Sequence, residues 1–313
     1  SASYCLPPLF SSAFYLMRQE ILFTPPCCGI DEFVPSRREE MGRKKKFTSR
    51  KHVRSGNEES SEHIHAINGL LRAEALIVDQ SNKRLVVVTK DILTNQLKRD
   101  TPLIAASFDD LCGTDIEELS EVLAQALSVV VAGMILSKDS GAKRKNACGQ
   151  LLINASNSFT AATQLLRSGY VLQPGIVIRS ILESISTVFH LIDRPEDFSK
   201  YVNGDLKSTK TIAAAKKAIP SFGLLYRNFS ENFAHIGDFH REIQQVKKYE
   251  TLNEALALNL SFLRLTVWLI YLTAALLFNE LTSTPRYWHR KANGFMYNPS
   301  DEERNWMKKF LER

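Results

Sequence analysis

Between Ile116 and Phe278, apolar residues recur at three- and four-residue intervals in six successive runs, with short breakers between them. Such spacing lines one face of an α-helix, so the pattern dictates helices packed on helices. The first run, 115–137, carries Ile116, Leu119, Val122, Leu123, Leu127, Val130, Val131 and Ile135. The second, 143–167, carries Leu151, Leu152, Phe159, Ala162, Leu165 and Leu166, and stops at Ser168-Gly169. The third begins at Pro174, where a proline loses no hydrogen bond in the first turn, and runs to Ile192. Asp193 and Pro195 open a lysine-rich fourth helix that ends before Pro220, followed by a fifth over 221–235 and a sixth over 251–281. The reading is all-α: a multi-helix bundle over 115–285 with a disordered basic arm at its N-terminal side. With 14 glycines and 11 prolines, the chain lacks the turns an all-β protein of 313 residues needs.

The sixth helix is the most apolar. From Leu265 to Phe278 no residue is charged, but Arg264 and Asn259 interrupt a longer run. Spanning a bilayer takes about 20 predominantly apolar residues, so this helix is expected at the centre of the bundle, and a membrane partner is not expected. Five cysteines, Cys5, Cys27, Cys28, Cys112 and Cys148, form no C-x-x-C pair. Neither a disulfide framework nor a zinc site follows, which fits a reducing, cytoplasmic setting.

Charge is concentrated at one place. Residues 41–57 hold Arg43, Lys44, Lys45, Lys46, Arg50, Lys51 and Arg54 and no acid, more positive charge than the whole chain's net of +6. Residues 1–40 are net acidic, so the body is close to neutral. Residues 1–57 are expected to be a poorly structured extension followed by this arm, with Met41 a natural start and 1–40 an extension upstream of it. The arm is read either as a solvated tail or as a binder of phosphate backbones in nucleic acid.

Over 58–100, Ile64, Leu71, Val78, Leu85 and Ile92 recur every seven residues, which predicts a long helical segment, or two helices broken near Gln80–Asn82. A strand signal at Leu85-Val86-Val87-Val88-Thr89 ranks second. Thr101-Pro102 should end this segment, with 102–114 as a connection. In the tail, 286–313, Tyr287, Trp288, Phe295 and Tyr297 read as a hydrophobic clip, with single-strand stacking as the alternative. Ser300 and Glu303 form a capping box for a last helix over 301–311.

No P-loop, dinucleotide fingerprint, H-E-x-x-H, G-x-S-x-G or EF-hand loop is present. His63 and His65 stand two apart rather than four, so no metal and no cofactor are expected. Two polar groups remain. Arg179 and Glu183 share a face of the third helix, which is otherwise almost wholly apolar. They are either an ion pair that fixes register or a polar site inside the bundle. Tyr226 and Ser230 share a face of the fifth helix, with Arg227, Asn228 and, at its end, His235; His240 and Arg241 follow. A histidine there either stabilises the helix end or moves protons near neutral pH.

The stretch LLRSGYVLQPGIVIRSILESISTVFHLI, followed by LLYRNFSENFAH, resembles an uncharacterised family of bacterial all-helical proteins. Its members pair an R-x-x-x-E helix with a later Tyr/Ser/His helix end, and the similarity spans 115–285. It is also distantly similar to the HEPN superfamily, whose nucleases carry an Arg, often followed by Asn, Asp or His, and then a His after four to six residues. The resemblance puts the acid–base roles on Arg227 and His235, across a homodimer. Here seven residues intervene, so that assignment requires a bent helix. Three readings of function follow: a bacterial interaction module in defence or regulation, a HEPN-like metal-independent ribonuclease, and a membrane-associated helical protein.

Overall fold

The computed structural model describes residues 73–80, 83–137, 142–236, 238–241, 245–281, 287–291 and 294–312. The basic arm, residues 1–57, His63 and His65 lie outside them. The chain divides into two compact units, with a boundary between Asp100 and Thr101.

In the first of these, 73–100, strands β1 (Ala73–Asp79) and β2 (Arg84–Thr89) form an antiparallel hairpin. This corrects the helical reading of 58–100 over these residues and bears out the strand signal at 85–89. The heptad residues Val78 and Leu85 sit directly opposite each other and are exposed, so they form no helix seam. In the register of the ladder Ile77 stands opposite Val86 and Leu76 opposite Val87. Of the turn between the strands, Gln80 and Lys83 are described, and Lys83 adopts a left-handed φ of 50°. Helix resumes only at Ile92–Asn95.

The second unit is a helical bundle. Helix α1 runs Thr101–Leu136, where the sequence suggested a connection over 102–114. Pro102 lies just after a π-helical turn, Gln96–Asp100. Ile104, Phe108 and Cys112 are buried and continue the seam of Leu119, Val122, Ala126 and Val130, and this burial outweighs the roughly 1 kcal/mol cost of Gly113 in a helix. Helix α2 is Ala142–Arg167. It closes with Gly169 at φ 90°, while Gly169 and Tyr170 donate to the Leu166 and Leu165 carbonyls in a Schellman arrangement. Helix α3 is Gln173–Asp193. The single fourth helix expected after it is split: a 3-10 turn at Pro195–Asp197, a short helix Phe198–Val202, and then α4 at Ser208–Ala218. Gly204, with φ 78°, reverses the chain between them.

Helix α5 is Phe222–Phe229, and α6 is Glu254–Leu277, capped by the Asn253 side chain accepting from Leu256 N–H. Almost all of α6 is buried, and it packs against α1, α2 and α3 at the centre. Among the described residues, three helical stretches are long and apolar enough to cross a membrane: Ile92–Leu136, Gln173–Asp193 and Glu254–Leu277. The last of these is 89% buried within the protein itself. A second hairpin, β3 (Trp288–Lys291) and β4 (Gly294–Tyr297), was not expected. It serves as the hydrophobic clip: Trp288 is buried, donates to the Leu272 carbonyl at 2.9 Å, and meets Tyr297 edge-on. Helix α7, Asp301–Leu311, starts at the expected cap, with Ser300 accepting from Glu303 N–H.

Candidate functional site

The apolar periodicity of α3 leaves only a narrow strip for polar groups, and the strip faces α5. There Arg179, Glu183, Tyr226 and Ser230 are brought together. Arg179 Nε donates to Ser230 Oγ at 3.0 Å, and Nη2 donates to Tyr226 Oη at 3.0 Å. Tyr226 in turn donates to Glu183 Oε1 at 2.9 Å, and Arg179 Nη2 lies 3.1 Å from the same oxygen. The guanidinium also stands over the Tyr226 ring, 5.4 Å from its centre. Arginine, tyrosine and carboxylate thus close a ring in which each charge has its complement. The Arg179 and Glu183 side chains are 30% and 37% exposed, so water reaches the site.

The close approach of α3 to α5's end depends on Gly175, where a Cβ would fall 2.2 Å from the Phe233 ring. The fifth helix is not regular to 235. After Phe229 it widens into a π-type turn, Ser230–Ala234, and His235 N–H donates to Ser230 O at 3.0 Å across five residues. A π-turn takes up one more residue than an α-turn. Arg227 and His235 are eight apart, with the π-turn between them. Both are exposed. Asn228 is half-buried and accepts from Asn232 through its carbonyl. His235 itself is extended, so the chain leaves the helix there. Ser230 links the two groups: its hydroxyl holds Arg179 and its carbonyl holds the His235 backbone.

Two further polar clusters escaped the sequence reading. Arg264, 1% exposed on α6, donates through Nη2 to Asp115 and, at 3.2 Å, to Glu118 Oε2, both on α1. Its Nε has no partner among the described residues, and Phe310 lies under its Cζ at 5.9 Å. In the other, His190 Nε2 and Asp197 Oδ2 are 2.9 Å apart and both residues are buried, while Lys200 Nζ reaches Asp197 Oδ1 at 2.5 Å. The hydrogen bonds from Lys200 and then His190 pull the Asp197 carboxyl down to about 2. Arg264 drew attention only as a break in an apolar run. Its partners lie far away in sequence, so no local spacing announces them.

Cys112 and Cys148 are buried free thiols. Burial, followed for Cys112 by the Asp115 charge, pushes them up to about 11 and about 12. Among the described residues no group of three His, Cys, Asp or Glu side chains is placed to hold a metal ion. No protein-family model, curated protein or solved structure matches the chain.

Proposed function

We propose that the bundle is an interaction module whose contact surface is the outer face of α1 and whose partner is a second copy of the chain. One observation carries this reading. From Val122 to Leu136 helix α1 contains no charged residue, yet Val131, Ile135 and Leu136 are 46%, 68% and 59% exposed. Contiguous apolar surface of this kind marks contact sites in soluble proteins. A like copy fits because the face sets no charge against its own image, and in an antiparallel pair the helix dipoles oppose favourably. Ala124, Ser128 and Ala132, four apart, allow two such helices to approach closely. Sedimentation of the full chain tests it: a concentration-dependent dimer is expected, and Ile135→Glu should return a monomer.

A second reading, metal-independent cleavage of RNA, is supported by the exposure of both Arg227 and His235. In it His235 exchanges the proton and Arg227 offsets phosphate charge. His235→Ala should lower cleavage at least about 10²-fold with an unchanged melting temperature. A purified chain that cuts no RNA removes this reading and leaves the interaction module untouched.

A further inference from the structure

Along α1, Glu117, Glu121, Ala124, Ser128, Val131 and Ile135 follow one another at intervals of four and three residues, and all six are exposed. That alternation draws one narrow stripe along a helix, the pattern by which a second helix packs lengthwise. The stripe is graded. Its C-terminal part is large and apolar, with Val131 and Ile135 exposed. Its middle is small, and the Ser128 hydroxyl donates to the Ala124 carbonyl at 2.8 Å, so covering it strands no donor. Its N-terminal part is acidic, and Glu117 and Glu121 have no ion-pair partner among the described residues. Past Leu136 the chain returns as α2, whose second residue, Lys143, is exposed and equally without an ion-pair partner among the described residues.

A second copy laid parallel would set Glu117 and Glu121 against their own images, like charge on like. Reversed, with the two-fold axis between Ser128 and Val131, the stripe becomes its own complement. Ala124 then faces the partner's Ile135 and Ser128 faces the partner's Val131, small against large. Glu121 and Glu117 run on toward the first turn of the other α2, where the partner's Lys143 and the positive end of that helix lie. We infer that two copies join by this antiparallel pairing, with Glu117 and Glu121 set against the partner's Lys143 at each end. The pairing rests on the self-association proposed above. It fixes the orientation and register of that contact and makes the contact weaken with salt.

Two full-length variants test the pairing by sedimentation, alone and mixed, with a fluorophore on one of them. One carries Glu117→Lys together with Glu121→Lys, and the other carries Lys143→Glu. All three side chains are exposed, so the fold is not at stake. Alone, each variant opposes like charges at both ends of the antiparallel pair and should dimerise about tenfold more weakly than wild type. Mixed, opposite charges meet at both ends, and heterodimers should form with close to wild-type affinity. Raising the salt should narrow these differences. A wild type that dimerises while each variant does so equally well, or while the mixture yields no heterodimer, would overturn the pairing and leave self-association standing. A wild type that stays monomeric throughout would overturn both and give the stripe to a different occupant.

Discussion

Arg264 and Arg179 both hold carboxylates inside one bundle, in opposite surroundings. Arg264 is 1% exposed, and its partners Asp115 and Glu118 come from another helix. Arg179 is 30% exposed by side chain, and its carboxylate sits one turn away on its own helix. Breaking a buried pair strands a charge out of water, whereas breaking a wet one lets solvent replace the partner. The first therefore locks α6 to α1. The second is a latch between α3 and the π-turn that can be altered without loss of the fold, which is what a site open to partners or substrates requires.

The largest expected effect is at the lock. Arg264→Ala should destabilise the protein by about 2–5 kcal/mol in urea unfolding, because it empties the space of a fully buried side chain at the α1–α6 interface and takes the shared countercharge from Asp115 and Glu118. A loss under about 1 kcal/mol would mean that water already reaches the guanidinium, and the contrast between the two arginines would collapse. At the latch, a double-mutant cycle of Arg179→Ala with Glu183→Ala should give a coupling of about 0.3–1 kcal/mol. A coupling as large as the lock's would make Arg179 a second structural keystone rather than an accessible group.

Asp197 sharpens the comparison through pH. Its folded carboxyl is lowered to about 2, against an unfolded value of about 3.9, so its contribution is fully present above the unfolded value and is lost as pH falls toward 2. The stability difference between wild type and Asp197→Asn should shrink as pH falls from about 4 toward 2. A difference that ignores pH across that window would show that the carboxylate's charge is immaterial to the fold.

How legible these features were follows from how local their causes are. Arg179 and Glu183 are four apart and Tyr226 and Ser230 are four apart, so two helix faces could be read directly, and each face supplied half of the network. Arg264 pairs across 149 and 146 residues, a distance no periodicity spans. The hairpin at 73–89 went unread as a unit because a seven-residue recurrence through Val78 and Leu85 mimicked a helix seam, while the pairing of Ile77 with Val86 becomes decisive only once the strands meet. Gly113 and Pro102 misled in the other direction, since buried Ile104, Phe108 and Cys112 hold α1 together through both.

The central claim is that the charge-free half of α1 joins two copies of the chain. Sedimentation velocity of wild type and of Ile135→Glu, over a hundredfold range of concentration, tests it most directly. The account predicts a wild-type dimer that dissociates on dilution and a variant that stays monomeric with the same helical signal and melting temperature. A wild type that is monomeric throughout, or a variant that dimerises as strongly, would contradict it.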